Sequence, residues 1–129
     1  VRLLLDTHVL LWFAAGDEQL GRKARAAIAD PGNTVLVSVV SLWEAAIKVR
    51  IGKLEVDVPA LIRESVRAGF DLLDLTPGHV ERLLTLPVSD HHRNPFDHLL
   101  LAQAAAEGAT FVTDDRHAKR YGVPILRSW

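Results

Sequence analysis

Asn94-Pro95-Phe96-Asp97-His98-Leu99-Leu100-Leu101-Ala102-Gln103-Ala104-Ala105-Ala106-Glu107-Gly108-Ala109-Thr110-Phe111-Val112-Thr113 reads as one helix followed at once by one strand. Asn94 offers an N-cap oxygen, and Pro95 takes the first-turn position, where a missing N–H costs nothing. Gly108 stops the helix. The spacing therefore predicts a helix over Pro95 to Glu107. Thr110 to Thr113, β-branched or apolar beside turn residues, is expected to be a buried strand.

The alternation repeats outward from there. Leu3-Leu4-Leu5 and Thr34-Val35-Leu36-Val37 are short apolar runs of the same kind, with Asp71-Leu72-Leu73-Asp74-Leu75 and Pro124-Ile125-Leu126 as weaker candidates. Helical spacing fills the intervals at Arg22 to Ala29, Ser41 to Ile51, Pro59 to Ala68 and Gly78 to Leu86, and Thr7 opens a further helix. Strand alternating with helix implies an α/β fold in which helices cover both faces of a mostly parallel sheet. No internal repeat, low-complexity tract or Pro/Gly/Ser linker interrupts the 129 residues, so one domain over 1–129 is expected.

Composition narrows the chemistry. No apolar run approaches the roughly 20 residues needed to span a bilayer, and the opening Val1-Arg2-Leu3-Leu4-Leu5-Asp6 meets a charge too early for a signal peptide. A cytoplasmic protein with no membrane association is expected. With no cysteine, disulfides, thiolate metal sites and cysteine nucleophiles are excluded, and any metal must be held by oxygen or imidazole. The net charge of −1 argues against binding nucleic acid by general basicity. Setting four acids aside as ligands leaves 12 against 15 Lys and Arg, a mildly basic remainder.

Each candidate acid has an ordinary reading beside a functional one. Asp6, at the end of the first strand and the start of a helix, would serve as an N-cap. It also lies at the carboxyl edge of the sheet, where open α/β folds bind ligands. Glu44 would pair with Lys48 at i,i+4. Asp97 lies in the first turn of its helix, where an acid is favoured by the macrodipole. The pair Asp114-Asp115 after the strand Thr110 to Thr113 reads as a second acidic helix start. Carboxylates gathered at one edge repel and raise one another's pKa unless a cation neutralises them. All-oxygen ligation favours Mg²⁺ or Mn²⁺ over zinc. The six histidines show no ligand spacing, and His91 and His92 are expected to be solvated or to face substrate.

Together these residues resemble the PIN-domain nucleases, and especially the VapC-like toxins of bacterial toxin–antitoxin pairs. The resemblance spans nearly the whole chain. It is carried by Leu3-Leu4-Leu5-Asp6-Thr7-His8, by Ser38-Val39-Val40-Ser41-Leu42-Trp43-Glu44-Ala45-Ala46-Ile47-Lys48, by His91 through Ala104, and by Phe111-Val112-Thr113-Asp114-Asp115. It implies a three-layer PIN-like fold with a central sheet of about five strands. It implies metal-binding and catalytic roles for Asp6, Glu44, Asp97 and Asp115. For Asp114, Thr7, Ser41 and Thr113 it implies auxiliary roles. Where many relatives have Asp-Pro-Phe-Asp-Arg, this chain has Asn94-Pro95-Phe96-Asp97-His98, so one acid and one arginine of the pattern are replaced.

The implied activity is a Mg²⁺- or Mn²⁺-dependent endoribonuclease acting through metal-activated water, without a covalent nucleophile. Lys48, Arg50, Lys53, His91, His92, Arg93, Arg116, Lys119 and Arg120 are candidates for phosphate contact, with Lys48 and Arg116 foremost because each lies within four residues of a ligand candidate. The implied partners are an RNA substrate, a second copy of the chain, and a VapB-like antitoxin. The antitoxin would send a segment into an apolar groove near Leu10, Leu11, Trp12, Phe13 and Trp43, most of which are expected to be core. A phosphatase or receiver domain is the rival enzyme, but Thr7-His8 follows Asp6 where an Asp-x-Asp pair is needed. A catalytically silent RNA- or protein-binding PIN-like module is the rival outside enzymology.

Overall fold

Each apolar run found in the sequence folds as a strand, and alternate side chains on these strands build two separate cores. The computed structural model describes residues 1–88 and 94–129. In chain order the elements are β1 (Arg2–Leu5), α1 (Thr7–Ala15), α2 (Arg22–Ala29), β2 (Thr34–Ser38), α3 (Val39–Arg50), α4 (Val58–Arg67), β3 (Asp71–Leu73), α5 (Pro77–Leu83), α6 (Pro95–Glu107), β4 (Thr110–Thr113), a 3₁₀ turn (Ala118–Tyr121) and β5 (Ile125–Arg127). The sheet order is β3-β2-β1-β4-β5, and every strand pair is parallel.

Leu3, Leu5, Val35, Val37 and Val112 point to one face, where Val9 and Leu10 of α1, Ala24 and Ile28 of α2 and Leu61 of α4 cover them. Leu4, Leu36 and Phe111 point to the other, against Leu100, Leu101 and Ala104 of α6 and Tyr121 of the 3₁₀ turn. The period of 2 along each strand produces this sorting. Leu4, Leu5, Leu100 and Leu101 are fully buried, and each such side chain contributes about 1.5–3 kcal/mol relative to exposure.

α6 has the bounds expected of it. Asn94 Oδ1 accepts from Phe96 N at 3.0 Å. Gly108, at φ 61°, ends the helix in the left-handed conformation that a side chain disfavours. Ser38 caps α3 in the same way through Val40 N at 3.0 Å. Two expectations are corrected. The stretch Gly78 to Leu86 is helical only over Pro77–Leu83 and then unwinds through turns. No α-helix starts at Asp114-Asp115; Asp115 Oδ1 instead accepts from His117 N at 2.8 Å, closing an Asx turn ahead of the 3₁₀ segment.

α5 is held to α6 by a buried polar network. His79 Nε2 lies 2.9 Å from Glu107 Oε2, and Gln103 bridges the His79 ring to the Ser38 hydroxyl that caps α3. Among the described residues no helix is long and apolar enough to cross a membrane.

Candidate functional site

After β1 the chain runs outward to β2 and β3, then returns to the other side of β1 for β4 and β5. The direction of strand succession therefore reverses between β1 and β4. The helices following these neighbouring strands diverge there, leaving a crevice at their carboxyl ends. Asp6 ends β1 and Thr113-Asp114-Asp115 ends β4, so the topology alone brings them together.

Asp6 occupies the N-cap position of α1, yet its carboxylate makes no capping bond. Its backbone N–H is tied to Val112 O at 2.9 Å, and its Oδ2 accepts from Thr113 Oγ1 at 2.6 Å. The ordinary N-cap reading therefore fails, because the carboxylate is turned across the sheet end instead of along the helix. Asp6 is only 5% exposed. Burial and then the charge of Asp97 push its pKa up from 3.8 to about 7, against the lowering effect of the Thr113 hydroxyl.

Glu44 is buried on α3 and lines the same cavity as Asp6. Thr7 Oγ1 donates to Glu44 Oε1 at 2.7 Å and lies 3.1 Å from Ser41 Oγ. Lys48 Nζ reaches Glu44 Oε2 at 3.1 Å, and Asn94 Nδ2 donates to the same oxygen at 3.4 Å. The expected i,i+4 pair is thus present, and it also sits at the crevice. Burial alone would raise the Glu44 pKa, but the Thr7 and Lys48 bonds outweigh it and hold the carboxyl below its ordinary value.

Asp97 enters from the first turn of α6. Burial, then Glu44 and Asp115, raise its pKa from 3.8 to about 6. Asp115 N donates to Thr113 Oγ1 at 3.0 Å, so one buried hydroxyl positions both Asp6 and Asp115. Asp114 Oδ2 lies 3.5 Å from His8 Nδ1. That contact lowers the pKa of Asp114 and raises that of His8.

The result is one cavity of about 240 Å³ lined by Asp6, Thr7, His8, Glu44, Asn94, Asp97, Asp114 and Asp115. Five of these are acids, and Lys48 is the ion-pair partner of one of them. Among the described residues no three acidic or histidine side chains are drawn together into a preformed metal cage. The donor set nevertheless fits a hard divalent cation. The donors are carboxylate oxygens, and burial, then the charge of neighbouring carboxylates, raises the pKa values of Asp6 and Asp97, a repulsion that a bound cation would offset.

All four ligand candidates and Asp114 meet at this cavity, with Ser41 and Thr113 behind them as hydroxyl supports. Lys48 borders it through Glu44, whereas Arg116 opens onto a neighbouring cavity that shares Asp115. His98, which replaces the arginine of the pattern, lies ring to ring with Tyr121 at 6.2 Å and does not line the cavity. His91, His92 and Arg93 fall outside the described residues. Sequence reasoning missed His8, and it saw Asn94 only as a cap; its second contact, with Glu44, depends on α3 and α6 converging. Trp43, one of five large side chains of which most were expected to be core, is 53% exposed and packs edge-on to Phe96 at 4.9 Å.

The family model for the PIN domain matches residues 3–124. The chain is similar to ribonuclease VapC22 of Mycobacterium tuberculosis, 28% identical over 127 residues, covering 95% of this chain and 93% of the relative. Its fold is similar to that of the VapBC2 complex of Rickettsia felis bound to a promoter DNA fragment, with a TM-score of 0.76, 16% identity and 98% of each chain covered. It is also similar to DNA-bound VapBC of Salmonella typhimurium, with a TM-score of 0.67, 15% identity, and 100% of this chain and 99% of that one covered. A family match over nearly the full length, a parallel sheet of five strands and the acidic crevice at its switch point agree: the chain belongs to the PIN domain family.

Proposed function

We propose that residues 1–129 form a single PIN-like nuclease domain that hydrolyses RNA phosphodiester bonds with Mg²⁺ or Mn²⁺. We further propose that it is the toxin of a VapBC-like toxin–antitoxin pair acting in the cytoplasm. The observation that carries the reading is the convergence of Asp6, Glu44, Asp97 and Asp115 on one crevice at the topological switch point. It is supported by similarity to a ribonuclease over nearly the full length of both chains.

Asp6, Glu44, Asp97 and Asp115 would hold the ion. When bound, it supplies the Lewis acidity that makes water nucleophilic near neutral pH and offsets charge on the phosphodiester. Thr113 fixes the Asp6 carboxylate, while Thr7 and Lys48 keep Glu44 ionised, so two ligand candidates are oriented before any ion arrives. Lys48, paired with Glu44, and Arg116, in the neighbouring cavity that shares Asp115, would contact phosphates of the RNA backbone.

The apolar groove between α1 and α4, lined by Leu10, Phe13, Leu61 and Phe70, suits an amphipathic segment of a VapB-like antitoxin. The active particle is a homodimer, and light scattering should return two protomers. The deciding experiment is cleavage of a labelled single-stranded RNA with and without Mn²⁺, using Asp6→Asn as control. Metal-dependent cleavage lost in the variant supports the reading. RNA bound but left intact by the wild-type chain would replace it with a silent binding module.

A further inference from the structure

β4 and β5 are adjacent and parallel, with Thr113 beside Arg127 in register. The residues that follow each strand therefore meet at the same sheet edge as the acidic crevice. Arg116 and Lys119 follow β4, and Ser128 and Trp129 follow β5. Ser128 is buried; its N–H donates to Thr113 O at 3.0 Å, and its carbonyl accepts from Gly21 N at 2.6 Å. Glycine is required at that approach, since a Cβ at Gly21 would lie 2.9 Å from the Trp129 carbonyl carbon.

The backbone leading into Trp129 is thus strapped on two sides while its side chain stays half exposed. The Arg116 and Arg127 guanidinium carbons stand 5.4 and 5.6 Å from the centre of the Trp129 ring. Attraction to the ring face holds these two like charges near each other and reduces the rotamer freedom that binding would otherwise remove. With Lys119, Ile125 and Asp115 they line a cavity of about 210 Å³. Three cationic side chains against one acidic side chain is a local excess in a chain whose net charge is −1. None of the ion pairs among the described residues uses these three cations.

This cavity and the acidic crevice share Asp115. A polyanion can therefore occupy both at once, which a free anion cannot. We infer that Arg116, Lys119 and Arg127, arrayed around Trp129, form a subsite for a backbone phosphate of the RNA strand next to the scissile one. The inference rests on the ribonuclease reading above and assigns that site three residues, Lys119, Arg127 and Trp129, whose joint role only the fold reveals.

The test is fluorescence anisotropy of a single-stranded RNA oligonucleotide on the full chain, carrying Asp6→Asn to suppress cleavage, across a salt series. Removing one phosphate contact should weaken binding about fivefold at roughly 0.1 M salt and make the log–log salt slope shallower by about 0.7. Arg127→Gln should show both changes, and so should Lys119→Gln, which lies outside any strand. Trp129→Ala removes no charge but should also weaken binding, because the arginines lose their common support.

Arg67→Gln, on α4 at the opposite, β3 edge, should leave affinity nearly unchanged. Wild-type affinity and slope in both Arg127→Gln and Lys119→Gln would overturn the subsite, as would an equal loss in Arg67→Gln. Displacement of the RNA by inorganic phosphate at equal charge concentration would overturn it in favour of a free-anion site. Tighter, Arg127-dependent binding of a polyglutamate peptide would overturn it in favour of an acidic protein surface. Arg127-dependent binding of RNA that the chain without Asp6→Asn leaves uncut in Mn²⁺ would keep the subsite and remove the nuclease reading. Unchanged binding in both Arg127→Gln and Lys119→Gln, with cleavage intact when Asp6 is present, would do the reverse.

Discussion

The Thr113 hydroxyl donates to Asp6 Oδ2 at 2.6 Å, joining the carboxyl ends of β4 and β1 across a sequence separation of 107. The same oxygen accepts from Asp115 N at 3.0 Å. One fully buried side chain therefore sets the position of two acids that sequence alone could only place in separate motifs.

Thr113→Val should remove both bonds while keeping the volume, and reduce metal affinity and RNA cleavage by about 10- to 100-fold. Thr113→Ser should retain most of both. Calorimetric metal titration with single-turnover cleavage checks this, and equal activity in the Val variant would reduce Thr113 to packing.

Protonation links the site to stability. The folded chain holds protons on Asp6 up to about 7 and on Asp97 up to about 6, whereas the unfolded carboxyls release theirs near 3.8. Folded pKa values above unfolded ones mean a contribution fully present below about pH 4 and lost as pH rises through 6 to 7. The metal-free chain should accordingly melt lower at pH 8 than at pH 5. A divalent ion displaces those protons, so its stabilising shift should be larger at pH 8. Calorimetric melting with Mn²⁺ or chelator at both pH values is the check, and Asp97→Asn should flatten the dependence.

Among the acids, Asp6→Asn and Glu44→Gln should cut metal-dependent cleavage on the order of a hundredfold or more with the fold intact by circular dichroism. Asp115→Asn should cost more than Asp114→Asn, because Asp114 is paired with His8 while Asp115 is held by Thr113. Initial rates on a single RNA rank the two, and the reverse order would move the fourth ligand to Asp114.

The aromatic residues of α1 and α3 separate stability from recognition. Trp12, partly buried against the first core and stacked at 5.8 Å on His8, should cost about 2–3 kcal/mol when changed to Ala. Trp43→Ala should cost less than about 1 kcal/mol, because half of that side chain already faces solvent. Phe13→Ala opens the α1–α4 groove and should weaken partner binding more than Trp12→Ala does. Urea denaturation paired with binding of the proposed VapB-like partner distinguishes the two effects.

Local physics made the elements readable. The run Leu3-Leu4-Leu5, the cap-to-stop frame from Asn94 to Gly108 and the alternation of strand with helix need only period and propensity, and they led to the parallel sheet and to the acids at strand and helix ends. Helix spacing also sufficed to pair Glu44 with Lys48. Tertiary structure alone decided that Asp6 turns from its helix to Thr113, that Asn94 reaches Glu44, and that Trp43 stays exposed. It also decided that Trp129 gathers Arg116 and Arg127. The contacts of Asp6 with Thr113, Asn94 with Glu44 and Arg116 with Trp129 join segments far apart in sequence, and no period, cap or pair rule within a few residues carries that information.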